Sequence, residues 1–319
     1  MKLKRHRKNP IIEPRGDDWE ALATFNPGVA LKDDKIYVFY RAVGEYVNYV
    51  SRLGLAIFDI ELNLIERKDK PVFEPNLKLW ELSIEDARVT QINSEYYFTY
   101  VTTITPAPPF GIRKKFGIPK PEQAFSKCAV AVTKDFENFR RLGIVTPHDA
   151  EERNLVLFPE KFNGKFAALH RPAKWLSENL DKPEIRFAIF DVPGVIRESR
   201  KVLEPEEKWE EKKVGAGPPP IKTEKGWLLI YHGVDERDVY RAGAALLDLE
   251  KPWKVISKTS KPILEPEKEY EREGDVPNVV FPTGAILIEE ELLVFYGGAD
   301  KVCCVASCNV NDLIDELVP

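Results

Sequence analysis

Two adjacent carboxylates and an arginine, Glu85, Asp86 and Arg88, stand at the head of the strand-like run Val89-Thr90-Gln91-Ile92. Polar residues stand at the heads of four other apolar runs: Asn26; Arg153 with Asn154; Lys213 with Gly215-Ala216-Gly217; and Asp275 with Asn278. A second set closes the strand-like runs that follow, with Arg41, Thr102 and Thr103, His170 and Arg171, His232, and Asp300. Arg153, Arg171, Lys213 and His232 are cationic donors in a chain of net charge −5, and the guanidinium fork suits phosphate. The plain alternative is that they pair with Glu85, Glu160, Asp235 or Asp275. Adjacent strand residues point to opposite faces, so only one of Glu85 and Asp86 should reach a shared pocket. That removes a two-carboxylate glycosidase pair from this dipeptide. One acid, Asp86, facing a bound phosphate supports a different reaction, phosphorolysis. Phosphate attacks the anomeric carbon while the acid protonates the leaving oxygen. Tyr40, Trp175 and Tyr240 are candidate stacking platforms for sugar rings, against core packing as the alternative.

These residues can converge only if the chain repeats. Asn9-Pro-Ile-Ile-Glu-Pro14, Lys70-Pro-Val-Phe-Glu-Pro75, Lys201-Val-Leu-Glu-Pro205 and Lys261-Pro-Ile-Leu-Glu-Pro266 echo one another. Pro14 and Pro75 are 61 residues apart, as are Pro205 and Pro266. The gap of 130 between Pro75 and Pro205 holds a degenerate copy near Gly143–Pro147. Each unit reads as a polar cluster, an apolar strand, a turn, an aromatic-rich second strand, a third strand and a short fourth. Asp33-Asp34, Asn163-Gly164 and Lys225-Gly226 are hairpin turns. Five such units predict an all-β, five-bladed β-propeller of four-stranded antiparallel blades, with a two-sheet sandwich as runner-up. The Pro10-Ile11-Ile12 strand is predicted to complete the last blade and hide a sheet edge. In a propeller, the starts of first strands and the ends of second strands ring one mouth, which gathers the two polar sets. Thr105–Gln123 and Lys174–Pro183 are expected as rim loops, and Val310–Leu317 as a short helix. The whole chain, 1–319, is expected to be one domain.

The bulk composition narrows the partners. With 43% hydrophobic residues a large core is available, and scattered charges argue against nucleic acid or an anionic membrane. The basic N-terminus is followed by Asn9-Pro10 rather than an apolar signal core, so a cytoplasmic location is expected. Cys128, Cys303, Cys304 and Cys308 lack metal-ligand spacing and are expected as reduced thiols, with no metal and no cofactor. Abundant Lys and Glu with a single Met suggest a heat-adapted source.

The stretches Ile84–Arg88, Leu157–Lys161, Leu169–Pro172, Gly215–Pro220, Leu229–Gly233 and Pro277–Pro282 together resemble glycoside hydrolase family 130, the inverting β-mannoside phosphorylases, over nearly the whole chain. The resemblance implies that Asp86 is the catalytic acid, acting directly or through a sugar hydroxyl. It also implies that Arg153, Arg171, Lys213 and His232 hold inorganic phosphate as co-substrate. Asn26, Arg41, Tyr240 and Asp300 match positions lining the mannose subsite, and Arg88 and Asp275 are placed with the substrate-contacting set. Ala87 departs from the family's usual proline. The implied substrate is a β-1,2- or β-1,4-mannooligosaccharide, and Tyr49–Gly54 looks more like the β-1,2 branch. A β-mannosidase using water and Asp300 or Asp275, and an inert sugar-binding propeller, are the competing expectations. Assembly into a homo-oligomer stays open.

Overall fold

A computed structural model of the protein describes residues 1–104, 126–177, 180, 182–192 and 194–318. The chain opens with β1 (Lys4–Arg5), whose partner comes last. Blade one holds β2 (Ala23–Lys32), β3 (Lys35–Val43), β4 (Ser51–Asp59) and β5 (Leu64–Arg67). Blade two holds β6 (Glu85–Ile92), β7 (Glu95–Thr103), β8 (Ser126–Thr133) and β9 (Arg140–Ile144). Blade three holds β10 (Ala150–Phe162), β11 (Lys165–Trp175), β12 (Ile185–Phe190) and β13 (Arg200–Leu203). Blade four begins with β14 (Lys213–Ala216) and β15 (Ile221–Lys222), two pieces of one inner strand that both pair with β16 (Trp227–Val234). The break between them is Pro218-Pro219-Pro220, three residues without an amide donor for the ladder. β17 (Tyr240–Leu247) and β18 (Val255–Lys258) complete that blade. Blade five holds β19 (Val280–Ile288), β20 (Glu291–Gly298) and β21 (Val302–Asn309), with β1 as its outer strand.

The inner strands meet around one axis: β2 packs against β6 and β19, and β10 against β6 and β14. This is the five-bladed propeller expected from the repeat. Apolar residues alternate on both faces of each blade, because every blade is covered by its neighbours. The five large apolar clusters lie accordingly at the five blade junctions. The terminal helix, Val310–Leu317, adds Val310, Leu313, Ile314 and Leu317 to the junction of blades four and five. The cysteines are free thiols, three of them buried.

The closing strand is not where the sequence placed it. Lys4–Arg5 forms the fourth strand against Ser307 and Ala306, while Ile12 adds a single bridge to Cys303 on the same β21. The reason lies in the echoes. In each, the apolar residue before Glu-Pro pairs with the third strand of a blade: Ile12 with Cys303, Phe73 with Leu53, Leu203 with Ile185, and Leu264 with Ala242. The echo therefore marks the end of strand four and the exit to the next blade, and only in blade three, where β13 runs to Leu203, does it lie within the strand itself.

A second repeat was hidden in the sequence. In four blades a buried second-strand tyrosine donates to a glutamate that also binds a fourth-strand cation. The sets are Tyr40–Glu20–Arg67, Tyr100–Glu81–Arg141, Tyr231–Glu210–Lys258 and Tyr296–Glu271–Arg5. Each satisfies a buried phenol and ties the short outer strand to the blade's interior. Tyr40 is thus a core residue with its hydroxyl committed, not a sugar platform. Trp175, which ends β11, packs in the core between blades two and three for the same reason of burial. Lys174 and Trp175 accordingly belong to a strand rather than to a rim loop, and Thr105–Gln123 lies outside the described residues. Among the described residues no helix is long and apolar enough to cross a membrane.

Candidate active site

The polar residues reach the mouth by a repeated backbone device. Asn26, Asp86, Asn154 and Asn278 all adopt left-handed φ, at 49°, 51°, 65° and 61°. In the first three blades this coincides with a register shift of the inner strand, at Phe25/Gly28, Glu85/Arg88 and Arg153/Val156. Each is a bulge that turns a side chain off the strand's alternation and towards the axis. Asparagine and aspartate tolerate that conformation best among residues with a side chain. The bulge overturns one expectation: Glu85 and Asp86 do not point to opposite faces. Both carboxylates reach Arg41, whose Nη1 lies 3.1 Å from Asp86 Oδ1 and 3.3 Å from Glu85 Oε2.

One half of the mouth is acidic. Asp86 Oδ1 also accepts from Asn26 Nδ2 at 2.9 Å, and Arg41 Nε donates to Ser51 Oγ at 2.8 Å over the ring of Phe25. Burial would raise the Asp86 carboxyl, but Arg41, Arg88, the Asn26 amide and Arg153 outweigh it and hold it below the usual aspartate value. Asp300 goes the other way. Burial is the main cause, and Asp86, Asp275 and Glu85 add to it against Arg41, pushing Asp300 up to about 7. Asp275 accepts from the hydroxyl of Tyr49 at 2.6 Å, so blade one's 44–50 loop reaches across to blade five. Tyr49 also lies over Arg41, which gives it a place in the site that sequence reasoning had not assigned.

The other half is cationic. Arg171 Nε donates to Asn154 Oδ1 at 2.7 Å, and Lys213 Nζ to the Tyr240 hydroxyl at 2.8 Å. The Tyr240 and Phe281 rings pack around His232, with centroids 6.1 and 4.5 Å away. Both His232 nitrogens are buried without a hydrogen-bond partner. Among the described residues, neither Arg171 nor Lys213 forms a salt bridge. Among those residues no carboxylate pairs with either, and both are held below their ordinary values. Burial, with Arg153 and Arg88 nearby, lowers Arg171 to about 10. Burial, Arg171, Lys212 and Arg153 lower Lys213 to about 7 against the opposing pull of Asp238. His232 is held well below its ordinary value by burial first, then by Arg171, Lys213 and Arg88. A cluster of cations that depress one another is poised to gain from any anion placed among them.

Two of the expected residues sit differently from the rest. Arg153 joins the cationic set but is paired with Glu85 at 3.0 Å. Arg88 is buried at 1% exposure, donating to the Asp86 carbonyl at 2.5 Å and to the Gly217 carbonyl at 3.3 Å across the channel. Its place is beneath the acid, holding backbone, rather than in the open pocket. The recurrence of Asn or Asp at each bulge was the signal that could have exposed Glu85, since left-handed residues break strand alternation.

Gly215 shows how tightly the cationic half is packed. A Cβ there would lie 2.4 Å from His232 Cε1 and 2.8 Å from Asn154 Oδ1, the anchor of Arg171. Gly215→Ala should therefore displace the His232 ring or the Asn154 anchor of Arg171 and weaken the binding of an anion among these cations by about tenfold, within the about 10²-fold that a 1 Å misplacement can cost. Calorimetric titration with sulfate would check it.

Comparisons with known proteins agree with this fold. A family profile described as beta-1,4-mannooligosaccharide phosphorylase matches residues 2–318. A 1,2-beta-oligomannan phosphorylase from Thermoanaerobacter sp. (strain X514) is 36% identical, covering 98% of this chain and 99% of that protein. A beta-1,4-mannooligosaccharide phosphorylase from Ruminococcus albus is 39% identical over 98% of this chain and 89% of its own. The solved structure of beta-1,2-mannobiose phosphorylase from Listeria innocua, in complex with beta-1,2-mannobiose, superposes with a TM-score of 0.82 at 28% identity, covering 99% of both chains.

Proposed function

Because this chain belongs to glycoside hydrolase family 130, we propose that it is an inverting β-mannoside phosphorylase that releases α-D-mannose 1-phosphate. The observation that carries the reading is the convergence at the mouth of Arg171, Lys213 and His232, the first two without a salt bridge among the described residues and the last with both ring nitrogens buried and unpartnered. Phosphate held there would attack the anomeric carbon of the terminal mannose. As that bond forms, the glycosidic C–O bond breaks, and a proton from Asp86 goes to the leaving oxygen, directly or through a sugar hydroxyl. Asn26, Arg41, Tyr49, Asp275 and Asp300 would surround the mannose on the acidic side, with Tyr240 as the wall between sugar and phosphate. Asp300, poised near neutrality, can donate a hydrogen bond to a sugar hydroxyl as well as accept one.

A β-1,2 linkage is favoured over β-1,4 by the Tyr49–Gly54 stretch, which also carries the Tyr49 clasp on Asp275. The raised Asp300 carboxyl suits a base that would activate water, which is the specific support for a hydrolase. That reading leaves the cationic trio without a task, and phosphorolysis does not. Incubation of β-1,2- and β-1,4-mannobiose with and without phosphate decides between them. Mannose 1-phosphate should form only with phosphate, as the α-anomer by NMR. Mannose release at an equal rate in phosphate-free buffer would establish hydrolysis instead. Synthesis from mannose 1-phosphate with a panel of acceptors, followed by linkage analysis, would fix the bond made.

A further inference from the structure

The acid and the anion cradle are joined by a continuous chain of charges. Glu85 Oε2 is shared between Arg153 Nη1 at 3.0 Å and Arg41 Nη1 at 3.3 Å. The same Arg41 Nη1 is shared in turn with Asp86 Oδ1 at 3.1 Å. The other Glu85 oxygen is pinned by Ser83 Oγ at 2.9 Å, itself 2.8 Å from Thr103 Oγ1. Arg153 is the open end of the chain, with 35% of its side chain exposed, and it lies close enough to Arg171 and Lys213 to repel both. Glu85 and Asp86 are largely buried, at 8% and 10%. A single carboxylate oxygen between two arginines, next to the acid of the reaction, is more than a structural ion pair requires.

Resting on the phosphorylase reading above, we propose that Glu85 is a positioning residue that couples the arrival of phosphate to the protonation of Asp86. In the free enzyme Arg41 divides its charge between Glu85 and Asp86. A phosphate dianion draws Arg153 into the cradle. Glu85 then turns wholly to Arg41 and takes it from Asp86, and the loosened carboxylate picks up one proton from solvent. That proton is the one delivered to the leaving oxygen when the glycosidic bond breaks. The acid is thus loaded only when the nucleophile is present. The groups that face Asp86 are consistent with this. Asn26 from β2, Arg41 from β3, Arg88 from β6 and Arg153 from β10 all favour its ionised form. Glu85 and Asp300 carry the opposing charges, and Glu85 is the one that touches two of the arginines.

Glu85→Gln breaks the chain while keeping the side chain's shape, and Glu85→Asp keeps the charge but loses the reach. With Glu85 neutral, Arg41 belongs to Asp86 alone. The basic limb of the kcat–pH profile should move to lower pH by about one unit, and kcat at pH 7 should fall about tenfold. KM for phosphate should not rise, since Arg153 has lost a competitor. Glu85→Asp should shift in the same direction, and Ser83→Ala, which only loosens the anchor, less so. Both keep the test open should Glu85→Gln not fold. Sulfate, a dianion that does not titrate near neutrality, supplies the direct readout. Calorimetry in buffers of different ionisation heat should show wild type taking up more protons on sulfate binding than Glu85→Gln. Asp86→Asn should lose the same share. An unchanged pH profile, or equal proton uptake in all three proteins, overturns the coupling. Absence of mannose 1-phosphate from wild type would instead overturn the phosphorylase reading, and the proton-uptake comparison would still judge the coupling on its own.

Discussion

Asp86→Asn is expected to lower kcat for phosphorolysis of an unactivated mannoside by about 10²- to 10⁴-fold, the range lost with a general acid. The substitution is nearly isosteric, and the left-handed backbone at this position is one that asparagine also accepts. The carbonyl of the new amide can still accept from Asn26 and Arg41, so the strand start should hold its shape. What is lost is the labile proton. The damage should therefore depend on the leaving group: a nitrophenyl β-mannoside, whose phenolate departs without protonation, should lose far less than mannobiose. Phosphate affinity should not fall, because none of Arg171, Lys213 and His232 is hydrogen-bonded to Asp86 and a neutral amide spares phosphate the work of loading the acid. Parallel rates with the two substrates, together with phosphate titration by calorimetry, check all three points. A variant that kept mannobiose turnover within tenfold of wild type would move the acid elsewhere, and Asp300, near neutrality, would be the first place to look.

The architecture was open to sequence reading because the blade is a repeated solution to one packing problem. Every copy needs an inner strand, a hairpin and an aromatic second strand between two neighbours. The echoes ending in Glu-Pro were legible for the same reason, although their place was misjudged. They mark the end of strand four and the exit to the next blade, so Pro10–Ile12 contributes only a bridge to β21 while the closing ladder runs at Lys4–Arg5. The tyrosine–glutamate–cation sets are not visible in the sequence because their members fall on different segments, the tyrosine and its glutamate 19 to 25 residues apart and Arg5 266 residues from Glu271. In isolation, Glu20 or Glu210 is merely one more acid in a highly charged chain.

The site was legible to the extent that strand ends can be counted. Arg171, Lys213 and His232 follow from propeller geometry, and so does Asp86. Glu85 did not, because the alternation rule that dismissed it holds only while φ stays negative. Asp86 at φ 51° suspends that rule, and the neighbouring carboxylate comes round to the same arginine. Tyr49 was equally invisible: its contact is with Asp275, 226 residues away in sequence and on the opposite side of the chain closure. What pattern alone reveals is which side chains arrive at the mouth. Which of them share a partner there depends on distances that pattern does not carry.

Lys213→Met should separate binding from stability in a way few surface lysines would. An ammonium that donates to phosphate forms a charge-assisted hydrogen bond, and losing one costs about 1.5–3 kcal/mol. That corresponds to a rise in phosphate KM of about 10- to 150-fold. The pH dependence should change with it. In the free enzyme Lys213 titrates near 7, so above that pH phosphate must bind a protein that has first to recover a proton. Wild-type affinity should fall as pH climbs through 7 to 9, and the share due to this group should vanish in the variant. Stability should run the other way. The unfolded lysine keeps its proton to about 10.5 and the folded one only to about 7. Between those values the unfolded state holds more protons, so the group's contribution to stability rises with pH. Below about 7 it is charged in both states, and the crowding of Arg171 and Arg153 weighs on the folded one alone. At pH 6 without phosphate, Lys213→Met should thus melt no lower than wild type. Phosphate at 100 times its Kd stabilises wild type by about 2.7 kcal/mol, and the variant should lose most of that gain at the same concentration. Thermal melts at pH 6 and pH 9, with and without phosphate, read the whole pattern. A variant that melted lower at pH 6 yet bound phosphate as wild type does would make Lys213 a structural group, held by Tyr240 for its own sake.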